Sequence, residues 1–587
     1  MAERVMIEPQ EAESLLEEQA GQEQETEIGE GKPSGWMKLA CGASVLLFLL
    51  IYLLRLDQVI GMFSDDAWYV LLAKALATGH GYTLINSPSP GIMPLYPPAF
   101  PFLLSLVFRL SPEFPSNLWL LKSVSIVAML GVGIAAYRYF MRDRELPPYV
   151  ALGIAVGSVL NPLMVVMATS TVMSECVFTL NFLLTVVVIE RGVRASKNGQ
   201  AVWRYAVLGA ALASFAFLTR SVAVSLIAAV FLYLLKEKLT RAALIFAAAV
   251  AVFAGPWAIY ARVHTPTPEQ QKEQGGHIVQ PYTTQFWQRR AGFANSGTVT
   301  VADLPERVGH NIFEIAGRDA GHLLVTPIFE QMRNLFEEAR QEGGSPGVIG
   351  NTLILSLLLS ALVITGFVAI IRERITLAEI AVLLSLGVTV LWPFDTARFV
   401  MPLLPFLLFY FLMGCRALHR LNQRLRQVSQ PRAQWIGVGV MAALMAAVSI
   451  YGNVQNLYKR YSSSSSVDIS PLQNLFHESE TMCQWMNQSL PKDGVIATNI
   501  PPLIYLYTGR QTVGLEDLAE NYRMGVRYLA FFPLYEMGVD PAESKYRTIY
   551  RTRGYGNFRV VDLGDPASRV PWNAPPSSSS KGMQISR

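Results

Sequence analysis

The sequence predicts a mainly α-helical, polytopic membrane protein with about eleven transmembrane helices and a small α/β domain outside the membrane at its C-terminal end. Three observations lead there. Long apolar runs recur from Trp36 to Gly452. Hydrophobic residues make up 51% of the 587 and charged residues 16%, with a mean hydropathy of +0.31. Basic residues gather in every second loop between the runs. The net charge of +4 is too small to point to a nucleic-acid partner. Cys41, Cys176, Cys415 and Cys483 show neither metal-type spacing nor a disulfide framework.

Residues 1–35 are rich in glutamate and read as a disordered, acidic cytosolic tail. Met1 is followed by acidic rather than basic residues, which argues against a cleavable signal peptide. The first span, 36–54, suits a hydrocarbon core of about 30 Å at 1.5 Å per residue. The run Ala99–Leu110, between Pro97-Pro98 and Ser111-Pro112, is too short to cross and reads as a re-entrant or interfacial helix. Further spans are expected near 118–137, 149–168, 174–190, 202–218, 222–235, 242–260, 350–371, 377–394, 399–415 and 433–452.

Orientation follows from Arg and Lys. Arg138, Arg142 and Arg144 share one loop, and Arg191, Arg194 and Lys197 the next loop but one. Then come Lys236, Lys238 and Arg241, Arg372 and Arg374, and the dense group from Arg416 to Arg432. These loops are expected to be cytosolic, which requires that Ala99–Leu110 does not cross. The N-terminus is then cytosolic and the C-terminus extracytoplasmic.

The transmembrane part spans 36–452, with large outside loops at 55–117 and 261–349. The second of these holds Pro266, Pro268, His277, Tyr282 and Trp287. After a serine linker at Ser462–Ser466, strand-like pieces at Val495–Thr498, Val526–Phe532, Thr548–Tyr550 and Phe558–Val561 predict an α/β domain over 467–565. A disordered tail is expected over 566–587.

The outside face gathers charge. In Phe63-Ser64-Asp65-Asp66-Ala67-Trp68-Tyr69 two adjacent carboxylates follow the first span. Charge beside an apolar span is costly, so it usually has a partner or a function. The bland reading is a helix N-cap at Ser64 or Asp65, which does not require two carboxylates. Glu175 opens a descending helix, where a carboxylate suits the helix dipole and Ser174 or Thr171 suits the cap. Arg220 and Arg398 lie in outside turns against the positive-inside bias. Asp395 is the local competitor for Arg398. Carboxylates beside fixed guanidinium groups suit a reaction on a phosphorylated lipid: arginine takes two phosphate oxygens in its fork, and a carboxylate serves as general base toward an acceptor hydroxyl.

On these residues the chain resembles the GT-C membrane glycosyltransferases, in the branch of the protein O-mannosyltransferases and lipid A aminoarabinose transferases. The carriers are Ser64-Asp65-Asp66-Ala67-Trp68-Tyr69, Leu95-Tyr96-Pro97-Pro98-Ala99-Phe100-Pro101, Ser174-Glu175, Leu218-Thr219-Arg220, and Arg398-Phe399 with Pro402 and Pro405. Their order and topological side make the resemblance. It covers about 37–450 and the C-terminal domain only loosely.

The resemblance implies a GT-C fold in the membrane of the cell envelope, in a bacterial inner membrane. It implies an inverting transfer of a hexosyl or pentosyl group from a polyprenyl-phosphate donor to a protein, lipid or polysaccharide acceptor. It places Asp65, with Asp66 beside it, at the catalytic position, and Arg398 with Arg220 at the donor phosphate. Tyr69, Tyr96, Pro97 and Pro98 fall in the substrate loop. Glu175 organises the acceptor or a metal. Metal use stays open, with Asp65 and Glu175 as ligands of any divalent ion. Three positions depart from the pattern: Asp66 stands for Glu, Glu175 for Asp, and Tyr96 for the aminoarabinose branch's Lys. The rival readings are a lipid or glycolipid flippase lined by the same charges, and a non-catalytic assembly or sensor protein acting through its soluble domain.

Overall fold

The computed structural model of the chain describes residues 35–564, except 62, 64, 90, 93–94, 268, 271–281, 290–296, 329–346, 426–430, 463–470, 516–520, 522–523, 533–545 and 553–557. The expected acidic and C-terminal tails, the Ser64 cap, Pro268, His277 and most of the serine linker fall outside the described residues.

The protein is a multi-pass membrane protein built on a helical bundle. Each of the eleven apolar runs forms helix. Among the described residues, seven helices are long and apolar enough to cross a bilayer: Gly35–Arg55, Leu118–Asp143, Glu175–Lys197, Thr240–Val263, Thr352–Glu373, Ala397–Gln423 and Ala433–Tyr461. The pair Pro148–Val159 and Pro162–Thr169, bent by 49°, is long and apolar enough to cross if the two pieces are taken together as one broken span. Asn161 marks the break, its side chain accepting from Leu163 N at 3.0 Å while Pro162 opens the second piece. The carbonyl of Leu160 takes a hydrogen bond from Asn453 at 2.7 Å. A backbone acceptor released by a bend in an apolar medium needs such a partner. The remaining three runs are shorter helices, Trp203–Thr219, Ser221–Lys236 and Leu377–Leu391. Ala99–Leu110 has 12 residues, about 18 Å at 1.5 Å per residue, too short to cross; it packs along Asp65–Ala77.

Burial separates the centre of the bundle from its rim. In their most apolar stretches, 78% and 83% of the residues of Glu175–Lys197 and Ala397–Gln423 are buried, against 22% for Gly35–Arg55 and Thr240–Val263. The rim helices instead expose Leu46, Leu53, Leu244 and Val252, which suits contact with lipid. Helices Gly347–Glu373 and Leu404–Leu425 touch backbone to backbone: a Cβ on Gly366 would lie 1.8 Å from the Tyr410 carbonyl oxygen, and one on Gly414 2.0 Å from that of Leu362. Small residues permit this approach in membranes.

Among its described residues the C-terminal domain carries five strands, β1 (Val495–Thr498), β2 (Thr512–Gly514), β3 (Val526–Phe531), β4 (Arg547–Arg551) and β5 (Arg559–Asp562), in the order β2-β1-β3-β5-β4. β1 runs parallel to β2 and β3, while β5 is antiparallel to β3 and β4. The crossover from β1 to β2 is the helix Pro501–Thr508, ended by Gly509 at φ +69°. β2 is three residues long, too short to announce itself by alternation, and was not among the expected strands.

Candidate active site

At the end of the bundle nearest the C-terminal domain, the acidic and basic residues expected on the outside come together from four parts of the chain. Asp65 opens the helix Asp65–Ala77. Its Oδ1 accepts from the Tyr96 hydroxyl at 2.7 Å and its Oδ2 from Arg398 Nη2 at 3.0 Å. Arg398 also reaches Glu175 Oε1, from Nε at 3.2 Å and from Nη2 at 3.1 Å. Arg220 Nη1 meets the same Oε1 at 2.7 Å. One guanidinium thus joins two carboxylates, and one carboxylate joins two guanidiniums.

Aromatic faces back both arginines. Arg398 lies over Phe63 at 5.1 Å and Arg220 over Phe399 at 5.5 Å. Cation–π contacts of this kind fix the plane of a guanidinium. Arg398 is not paired with Asp395, the local competitor: Asp395 takes Arg318 at 2.9 Å and caps the Ala397 N–H.

The Tyr96-Pro97-Pro98 turn is set by its neighbours. Tyr82 donates to the Tyr96 carbonyl at 2.6 Å and Tyr282 to that of Leu95 at 2.8 Å. Pro98 precedes the first turn of Ala99–Leu110 and accepts from Phe102 N at 2.9 Å. Tyr69 packs edge-on to Tyr96 and Phe100, and its hydroxyl shares a 3.2 Å hydrogen bond with Ser174. Burial pushes the Tyr69 phenol above its ordinary range. Ser174 also accepts from Arg220 at 3.3 Å. It does not cap its helix, and the Thr171 hydroxyl turns back to the Met167 carbonyl, so neither expected cap forms.

Asp65 and Asp66 have different surroundings. The Asp65 side chain is 27% exposed, whereas Asp66 is fully buried. Asp66 Oδ2 accepts from Gly61 N at 2.8 Å and Oδ1 from Ala67 N at 3.0 Å. Burial raises its carboxyl to about 6, against the pull of those two backbone donors. Glu175 is also fully buried, and among the described residues its Oε2 has no hydrogen-bond partner.

Asp65 and Glu175, left open as ligands of any divalent ion, are both engaged by arginine in this arrangement. Asp65 and Glu175 face the same guanidinium, which stands where a shared cation would have to lie. Among the described residues no three His, Cys, Asp or Glu side chains converge.

No family model matches the chain, and no curated protein matches it. Among solved structures, the chain is similar to ArnT from Cupriavidus metallidurans bound to undecaprenyl phosphate, at 14% identity and TM-score 0.44, over 90% of this chain and 98% of that one. It is also similar to the archaeal oligosaccharyltransferase AglB from Archaeoglobus fulgidus in complex with an inhibitory peptide and a dolichol-phosphate, at 12% identity and TM-score 0.46, over 88% of this chain and 74% of that one. The arabinofuranosyltransferase AftD from Mycobacteria matches at 12% identity and TM-score 0.37, over 90% of this chain and 40% of that one.

Sequence reasoning passed over the residues that hold the site. Lys122 is fully buried, and its Nζ donates to Asp57 Oδ1 at 2.8 Å and to the Asp57 carbonyl at 2.7 Å. The Ser170 hydroxyl takes the other Asp57 oxygen at 2.6 Å. A lone lysine inside Leu118-Trp119-Leu120-Leu121-Lys122-Ser123 was the available signal, by the same cost argument that singled out Asp65. No local pattern announced Phe63 or Phe399 as backing for the arginines.

Among the charged side chains that meet here, Asp65 and Arg398 are the two with substantial exposure, at 27% and 23%. Arg398 spends Nε and Nη2 on carboxylates, and among the described residues its Nη1 makes no hydrogen bond. The arrangement therefore offers one reachable carboxylate beside one reachable guanidinium, with Glu175 and Arg220 behind them.

Proposed function

We propose that the protein is a membrane-embedded glycosyltransferase that moves a sugar from a polyprenyl-phosphate donor to an acceptor hydroxyl at the extracytoplasmic face, with inversion. The observation that carries this reading is Asp65: an accessible carboxylate held between the Tyr96 hydroxyl and Arg398.

Asp65 is the general base. Each of its oxygens keeps a lone-pair direction beyond the one it uses, so it can accept the proton of an acceptor hydroxyl without first losing Tyr96. The acceptor oxygen then attacks the anomeric carbon from the side opposite the phosphate. The carbon–oxygen bond to the phosphate breaks, and the bonding pair leaves with polyprenyl phosphate. Arg398 and Arg220 meet the charge that develops there. Oriented guanidiniums suit a phosphate leaving group, which needs charge stabilisation rather than protonation.

The two arginines and two carboxylates sum to no net charge before donor arrives. A phosphate at Arg398 competes with Asp65 for the same guanidinium. Donor binding thus loosens the ion pair that restrains the base. Glu175, buried beneath, keeps both arginines in register.

Purified protein in proteoliposomes, with a polyprenyl-phosphate sugar and a panel of peptide, lipid and glycan acceptors, tests the reading. Donor-dependent glycan transfer that is lost in Asp65→Asn is the expected result. Lipid movement across the bilayer without bond formation would replace the enzyme with a flippase.

A further inference from the structure

The C-terminal domain touches the acidic loop at a point that the chemistry of Asp65 does not use. The turn at Gly61 has φ +85°, and a Cβ there would lie 2.9 Å from Leu503 Cδ2. Leu503 is buried and belongs to Pro501–Thr508, the crossover helix of the C-terminal sheet. The same Gly61 donates its N–H to Asp66. One residue is therefore gripped from below by the C-terminal domain and from the side by the helix that begins at Asp65.

Further contacts seat the domain on this region. Thr512 N donates to the Asn86 carbonyl at 2.7 Å, and Asn86 Nδ2 returns to the Thr512 carbonyl at 3.2 Å. Phe114 and Tyr507 meet edge-on at 5.0 Å, and the Lys74 ammonium lies 5.5 Å from the centre of the Tyr505 ring. The other end of the loop is fixed by Asp57 on Lys122 and Ser170. Gly61 is the part left without a side chain of its own, and a glycine turn is conformationally free unless something fills the space around it.

We propose that the C-terminal domain is the positioning element of the acidic loop, with Leu503 propping the Gly61 turn and Asp66 locking that turn to the first turn of Asp65–Ala77. Leu503 and Asp66 are positioning residues, since neither touches a reacting atom. The proposal rests on the glycosyltransferase reading only for its kinetic consequence; the mechanical claim stands apart from it. It gives the soluble domain a role in transfer even when it binds no substrate.

The test is amide hydrogen exchange on the full chain in lipid nanodiscs, read over residues 56–63 in the parent and in Leu503→Ala, alongside donor kcat and KM. The expected result is exchange at the Gly61 amide faster by about tenfold or more, with the Glu175–Lys197 helix unchanged. kcat should fall by about tenfold while donor KM stays within about twofold, because donor contacts remain and base placement is lost. Leu503→Met, which refills the space, should restore both. If Leu503→Ala does not accumulate, Asn86→Ala removes the two Nδ2 hydrogen bonds to Thr512 while keeping the bond from Thr512 N to its own carbonyl, and should show the same exchange pattern to a smaller degree. Unchanged exchange over 56–63 in the variant that accumulates would overturn the proposal, as would faster exchange with unchanged kcat. Failure of the enzyme reading would look different: no variant, nor the parent, would transfer sugar, while the exchange result would still decide whether the domain holds the loop.

Discussion

Asp65 and Asp66 are adjacent in sequence, yet one meets the Tyr96 hydroxyl and Arg398 and the other closes on backbone N–H groups. Asp65→Asn should lower the initial transfer rate by ~10²–10⁴ at saturating donor, the usual cost of removing a placed base. Asp66→Asn should cost less in rate, and its signature is in stability. A carboxyl raised to about 6 by burial lets the folded chain hold a proton that the unfolded chain has already released. Stability from this group is therefore greatest below about pH 4 and declines as pH rises to about 6. Asp65 and Lys122 are the charged neighbours that act on it. The stability difference between Asp66→Asn and the parent should move in the variant's favour by about 2 kcal/mol from pH 4 to pH 7. Parallel melting curves across that range would show that Asp66 does not titrate there. Arg398→Lys retains charge but loses the fork that reaches Asp65 and Glu175 together. Donor KM should rise by about tenfold or more, with the protein still in the membrane; an unchanged KM would remove Arg398 from the donor site. At this scale the sequence showed which residues were unusual for their place. It did not show their pairing, because Arg398 lies beside Asp395 in the chain and beside Asp65 and Glu175 only after folding.

Helices were legible wherever an apolar run was long, since backbone satisfaction leaves a membrane segment little choice. Ala99–Leu110 was legible for the opposite reason, its shortness between prolines. The contacts between helices were not. The approach of Gly366 to Tyr410 and of Gly414 to Leu362 depends on which faces meet, and two isolated glycines in apolar runs do not say so. Gly366→Val should push these helices apart and destabilise the protein by at least about 3 kcal/mol, read as an earlier denaturation midpoint in detergent. A midpoint equal to the parent's would mean that the two backbones are not in contact. Lys122→Met leaves Asp57 buried without its cation and should cost about 3–5 kcal/mol. Here too the signal existed in the sequence as a charge within an apolar run, but its partner lies 65 residues away.

For the molecule as a whole, the alternation of basic loops predicts that a reporter fused after the C-terminal domain is reached from outside the membrane, as is a tag in the 99–110 segment. A cytosolic C-terminal reporter would shift the crossing count by one and move the acidic and basic groups to the wrong side of the membrane for a polyprenyl-phosphate donor presented outside. The broken span Pro148–Val159 and Pro162–Thr169 acts as a lever in this assembly. Its second piece has 8 residues, an arm of about 12 Å, and a swing of 49° carries the tip sideways by about 9 Å. That tip is where Thr169 and Ser170 meet Asp57, and Glu175 follows one short turn later. Were the span straight, Ser170 and Glu175 would be delivered most of a helix diameter away from the loop that carries Asp65. The distance between the two carboxylates is thus calibrated at the break beside Asn161, by a residue that touches neither of them.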